Sequence, residues 1–237
     1  MTIGLIQFPG SLGIEDFKRV LQGFYQVDVQ VIWHLENDLP PLDAIIIPGG
    51  YSYGDYPRPG LIAANSKMVK YISDYAYNGG IVIGFGNGFQ ILCESGLLPG
   101  AFSENKSMVH NSEKVYVKAD NNDTALTLLA NKDKALCLPI SHHYGKYSLD
   151  KDVLSIMRQN HQILYRYCDK HSRISEVFNP NGSIENIAGV CNVSKNIFGL
   201  MLHPERAVED DIGCTDGRII FEGLLKTLRK NTKEVVF

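Results

Sequence analysis

Residues 79–92 read GGIVIGFGNGFQIL. The apolar run Ile81-Val82-Ile83 has the composition of a strand buried on both faces. A glycine-rich turn follows, Gly84-Phe85-Gly86-Asn87-Gly88, and an apolar-periodic segment from Phe89 predicts a helix. A strand turning sharply into a helix is the geometry of a nucleophile elbow. It lifts one side chain to the top of a sheet, where a helix N-terminus and backbone N–H groups can stabilise an oxyanion. The position for that side chain is Gly86, which has none. The frame of a hydrolytic site is therefore predicted without its reactive atom. The plainer alternative is that Gly84, Gly86 and Gly88 simply make a close-packed turn.

Upstream of this stretch, residues 2–8 and 27–33 read as strands and 44–47 as a short third, stopped by Pro48-Gly49-Gly50. A helix is expected over 15–25, capped by Ser11 or the residues just after it, and another over 63–77. Strands alternating with helices predict an α/β fold, a mainly parallel sheet flanked by helices. After residue 106 the pattern turns β-rich: strands at 115–117, 135–140 and 161–167, then a hairpin of 187–191 and 197–201. An amphipathic helix over 219–228 closes the chain. No repeat or linker interrupts it, so one domain over 1–237 with a small β-rich insertion is expected.

Composition narrows the function. The chain has 237 residues, 44% apolar and 21% charged, with a formal net charge of −3 and no basic block. That argues against nucleic acid or an anionic membrane as a partner. No apolar run approaches the roughly 18 residues of a membrane span. The start, MTIGLIQFPG, reads as a first strand, not a signal peptide. The five cysteines, 93, 137, 168, 191 and 214, form no C-x-x-C pair. They fit reduced thiols in a cytoplasm and no zinc site.

Three further motifs carry chemistry. The loop Gly49-Gly50-Tyr51-Ser52-Tyr53-Gly54-Asp55-Tyr56 follows a predicted strand, where open α/β sheets bind ligands. Its glycines allow an amide to turn toward a bound carbonyl oxygen. His142-His143-Tyr144 invites a metal reading, but no third ligand lies at suitable spacing. His203-Pro204-Glu205-Arg206 follows the last strand. Residues two apart on a strand point the same way, so Glu205 is placed to orient His203 as a base. Set against these readings are plain ones: tyrosines packed on a surface turn, and a surface histidine with an unrelated glutamate.

The segments PGGYSYGDY (48–56), GNGFQIL (86–92), SGLLPGA (95–101), NPNGSIENIAGVCN (179–192) and HPERA (203–207) occur in this order. Together they resemble the small glutaminase subunits of phosphoribosylformylglycinamidine synthase, class I glutamine amidotransferases of purine biosynthesis. The resemblance implies a flavodoxin-like three-layer fold and the release of ammonia from glutamine. It also implies a large synthetase subunit as partner, which holds ATP and magnesium, and no cofactor or metal in this subunit. It places Gly86 where the family has its cysteine nucleophile, His203 at the base and Glu205 at the residue orienting it. It assigns the oxyanion donors to Gly50 and Asn87, and the glutamine pocket to Gln90 and to His142, His143 and Tyr144.

The departures from the family are pointed. Gly86 replaces the nucleophile, Pro59 stands where a cysteine is usual, and His143-Tyr144 replaces the Gly-Glu of an H-G-E-G run. One exchange would account for Gly86 but not for the other two, which favours natural divergence. Neither Cys93, seven residues beyond the elbow, nor Cys191 is expected to substitute. Three readings follow: a glutaminase subunit, a pseudo-glutaminase that stabilises the synthetase, and a glutamine-binding module. A bulky Tyr144 projecting into the pocket separates the second from the others.

Overall fold

The computed structural model describes residues 1–234. The first half runs β1 (Thr2–Gln7), α1 (Ile14–Lys18), β2 (Asp28–Trp33), β3 (Ala44–Ile47), α2 (Leu61–Ala64), α3 (Lys67–Tyr77), β4 (Ile81–Phe85) and α4 (Asn87–Glu94). The second runs β5 (Ala101–Ser103), β6 (Asn111–Ala119), β7 (Leu136–His142), β8 (Lys146–Ser148), α5 (Lys151–Gln159), β9 (Ile163–Cys168), β10 (Ile187–Cys191), β11 (Ile197–Leu200) and α6 (Gly217–Glu234). Within the described residues, nine strands form one sheet in the order β2-β1-β3-β4-β11-β10-β9-β6-β7. From β2 to β11 neighbours are parallel. From β11 to β7 each pair is antiparallel, so that only β6 and β10 run against the rest. The β-rich stretch therefore extends the central sheet, and β5 and β8 alone pair apart from it.

The sequence dictates which strands lie inside. Every residue of β3, β4 and β11 is buried, as expected of apolar strands covered on both faces. On one face Phe17 of α1, Phe85 of β4 and Phe221 and Leu224 of α6 share a core. On the other, Ile72 of α3, Phe89 and Leu92 of α4 and Leu154 and Met157 of α5 pack together. Burying each such side chain contributes about 1.5–3 kcal/mol. The result is helix, sheet, helix in three layers.

Several local expectations change. The helix expected over 63–77 is broken at Asn65-Ser66 into α2 and α3. That over 15–25 passes from α1 into a π turn at Arg19–Phe24. The cap of α1 falls on a residue just after Ser11, as expected: Gly13 holds the N-cap, while Ser11 Oγ accepts the Phe8 N–H at 3.0 Å. Helix α5, unexpected, starts where the Asp150 side chain accepts the Asp152 N–H.

Candidate active site

The three glycines of the elbow differ. A Cβ on Gly84 would lie 2.5 Å from the Gly88 carbonyl carbon and oxygen, and one on Gly88 would lie 2.0 Å from Ile47 O. Both positions are glycine because α4 rests directly on the strands. Gly86 is different: the nearest atom to its Cβ would be His203 Cε1 at 3.2 Å, and its neighbour Nε2 would be at 3.5 Å. Its φ of +52° and ψ of −111° belong to a sharp strand-to-helix turn. Its N–H donates to Leu200 O at 2.8 Å, locking the elbow onto β11. The close-packing alternative thus explains Gly84 and Gly88, but not Gly86.

His203 lies three residues beyond β11, the strand beside β4, and its N–H donates to Pro139 O of β7 at 2.9 Å. Its Nδ1 stands 2.7 Å from Glu205 Oε1, and both residues are buried. The pairing is as expected; the reason is not. Residues Pro204–Arg206 form a 3-10 turn, so Glu205 reaches back through the turn and not by strand alternation.

The remaining predicted residues converge on one cavity lined by Gly50, Gly86, Asn87, Gln90, His142, His143, Tyr144 and His203. Gly50 has φ +153°, and a Cβ there would lie 2.4 Å from Gly10 O, so only glycine fits. Asn87 is the first residue of α4, whose leading N–H groups have no partner within the helix. Its Oδ1 accepts the Ser52 N–H at 3.1 Å and its Nδ2 donates to Gln90 Oε1 at 2.9 Å. Gln90 Nε2 in turn donates to Tyr144 O at 2.7 Å. The pocket residue Gln90 thereby holds the His143-Tyr144 segment down.

That segment forms part of the cavity wall. The His143 and Tyr144 rings meet edge to face at 4.8 Å, and His143 Nε2 lies 3.5 Å from Glu104 Oε1. The cavity left inside measures about 20 Å³. That is room for about one water, against the roughly 300–1,000 Å³ of a drug-sized ligand's pocket. Burial pushes His142 down to about 3, with the charges of His203 and His110 adding to the effect.

Sequence reasoning missed two residues here. Asp55 lines the cavity with its Oδ1 buried and unpartnered, and burial pushes its carboxyl up to about 6. The Gly-Asp-Tyr run displayed it, but nothing local marked it as inward-facing. Asn105, 1% exposed, donates its N–H to His143 O and its Nδ2 to His142 O and Val109 O, and accepts the Gly145 N–H.

The other cysteines do not stand in for a nucleophile. Cys93 is buried with Sγ 3.5 Å from Pro99 O, and burial pushes its thiol far up. Cys191 is buried on β10 and pushed up to about 12. Among the described residues no group of three or more His, Cys, Asp or Glu is placed to hold a metal ion. Nor is any described helix long and apolar enough to cross a membrane.

Comparison with known proteins agrees with this architecture. Residues 6–212 match the family of CobB/CobQ-like glutamine amidotransferase domains. The phosphoribosylformylglycinamidine synthase subunit PurQ of Koribacter versatilis is 42% identical over 97% of this chain and 100% of its own length. That of Aquifex aeolicus is 43% identical over 95% and 99%. A chain in the structure of PurLQS from Thermotoga maritima matches with a TM-score of 0.85 at 38% identity, covering 96% of this chain and 98% of that one. At these identities over nearly the full length of both chains, the chain belongs to the PurQ family of glutamine amidotransferase subunits.

Proposed function

We propose that this chain is the PurQ-type glutaminase subunit of a phosphoribosylformylglycinamidine synthase in purine biosynthesis, and that as its sequence stands it does not hydrolyse glutamine. The family membership supports the first half, and the solved relative from a PurLQS assembly supports association with a large synthetase subunit. ATP and magnesium chemistry belongs to that partner; this subunit carries no cofactor of its own. Residues 1–237 act as one amidotransferase domain, of which 235–237 lie outside the described residues. The pair works in the cytoplasm.

The observation that carries the second half is the absence of any side-chain atom at Gly86, opposite His203. In the covalent route a thiolate attacks the glutamine amide carbon, ammonia leaves, and water releases glutamate. Here His203 is the base, Glu205 orients it, and the Gly50 and Asn87 amides receive the oxyanion. Gln90, His142, His143 and Tyr144 line the glutamine pocket. The frame is complete and its attacking atom is missing. A water polarised by His203 is the substitute, and in triad enzymes such residual catalysis is only about 10³–10⁴-fold over water. The cavity of about 20 Å³, with His143 and Tyr144 in its lining, favours the pseudo-glutaminase over a glutamine-binding module, because it is smaller than an amino acid needs.

The test is reconstitution with the large synthetase subunit. Amidine formation should proceed with ammonium and fail with glutamine, and the two chains should co-purify. Robust glutamine turnover by the unmodified chain overturns the role given to position 86. Failure to bind the large subunit overturns the assignment as its partner.

A further inference from the structure

We propose that Cys137 and Cys214 are a dithiol pair that a small disulfide oxidises to an intramolecular disulfide, bracing the turn that carries His203. The inference is independent of whether glutamine is cleaved.

Of the five cysteines, 93, 168 and 191 are buried, while 137 and 214 are half-buried. The two accessible thiols are neighbours although 77 residues separate them along the chain. Cys214 Sγ donates to Cys137 O at 2.6 Å. Two residues beyond Cys214, Asp216 Oδ2 accepts the Cys137 N–H at 2.7 Å, so the loop is fastened to β7 beside the pair. The Cys137 thiol itself interacts with that of Cys214; burial first, then this neighbour and Asp216, push it up to about 11, against the pull of the Lys114 charge. Cys214 follows Gly213, which has φ +72° and is exposed, so this end of the bridge lies next to solvent.

The bridge would act on the site from behind. Pro139, two residues along β7 from Cys137, accepts the His203 N–H. Gly217, three residues beyond Cys214, donates its N–H to Ala207 O at the far end of the Pro204–Arg206 turn. A covalent link between 137 and 214 ties these two anchors together.

The chemistry balances with a low-molecular-weight disulfide such as oxidised glutathione. The Cys214 thiolate, on the exposed loop, attacks one sulfur of the oxidant, forming a mixed disulfide and expelling one glutathione thiolate. Cys137 loses its proton and attacks the Cys214 sulfur, expelling the second. Two protein thiols lose two protons and two electrons, and the oxidant leaves as two thiols. Because Cys137 is held protonated, the second step is slow at neutral pH and accelerates as pH rises.

The test incubates the native full chain with oxidised glutathione at pH 7 and pH 8.5, then alkylates in denaturant, counts thiols and maps peptides. The titratable thiols should fall from five to three, faster at the higher pH, with one disulfide joining 137 to 214. The oxidised chain should melt several degrees above the reduced one. In Cys137→Ser or Cys214→Ser the gain should vanish, leaving a mixed disulfide or none. Five thiols after prolonged oxidation, a bridge between other cysteines or between two copies, or no rise in melting temperature would overturn the proposal.

Discussion

A Cβ on Gly86 would stand 3.2 Å from His203 Cε1 and 3.5 Å from Nε2. The elbow therefore still aims a side-chain position at the imidazole, and a thiol there would lie beside both the base and a helix N-terminus, which favour thiolate. Gly86→Cys is nevertheless expected to release no glutamate by itself, because glutamine does not fit a cavity of about 20 Å³. The left-handed φ of +52° also costs a non-glycine residue about 1–3 kcal/mol. Adding His143→Gly and Tyr144→Glu should raise glutamate release by several orders of magnitude over the unmodified chain. Turnover by Gly86→Cys alone would show that the segment does not block entry. An inactive triple variant would show that the frame is no longer competent.

Asn105 should be the residue on which the closed segment depends. Its side chain and N–H make four hydrogen bonds to residues 109 and 142–145, from a position only 1% exposed. Each such bond contributes about 1 kcal/mol, and carbonyls left buried add to the loss. Asn105→Ala is expected to destabilise the chain by about 2–4 kcal/mol in urea unfolding. It should also speed amide exchange at Gly145 well beyond exchange in β3. A loss under about 0.5 kcal/mol, the usual range for surface changes, would remove Asn105 from this role.

The elbow was legible because its determinants are local: an apolar strand, a glycine turn and a periodic helix lie within 79–92. The His203–Glu205 pair was legible as a spacing, although a 3-10 turn and not a strand brings the two together. What stayed hidden depends on long-range contacts. Asn105 meets residue 142 across 37 positions, and Gln90 meets Tyr144 across 54. No periodicity encodes either. Helix α5 is the opposite case: Asp150 as cap and Leu154 and Met157 as buried face were present in the sequence, between stretches that read as strands.

The acid limb of the stability curve should report His142. Its Nε2 faces Asn181 Nδ2 at 3.1 Å, a donor, so the imidazole accepts there and is neutral. With the folded group near 3 and an ordinary value of 6.5, the unfolded chain binds the extra proton between these limits. Stability from this group is complete above about 6.5 and is lost as pH falls toward 3. Asp55 opposes it: raised from 3.8 to about 6, it contributes below 3.8 and loses that contribution as pH rises through 6. His142→Gln should flatten the fall in melting temperature between pH 6.5 and 4, and Asp55→Asn should steepen it. Unchanged profiles in both variants would contradict these assignments.

The buried pair His203–Glu205 should couple strongly even without a nucleophile beside it. Glu205 is fully buried, its Oε1 accepts from His203 Nδ1 at 2.7 Å, and its Oε2 has no partner. His203→Phe abandons that carboxyl group in the interior without its hydrogen-bond partner, a loss of about 1–3 kcal/mol or more. Glu205→Leu leaves the imidazole Nδ1 unpartnered, a loss of about 1–3 kcal/mol. The double variant leaves neither group stranded and should lie within about 1 kcal/mol of the parent, because apolar replacement of a whole buried pair is often neutral. Urea unfolding of the four proteins then gives a coupling energy that neither single change predicts. Such coupling would account for His203 and Glu205 standing together beside Gly86: losing either one alone destabilises the fold, whatever becomes of glutamine. Simple additivity of the two losses would instead mean that the pair contributes nothing to folding, leaving its chemistry as the reason for its presence.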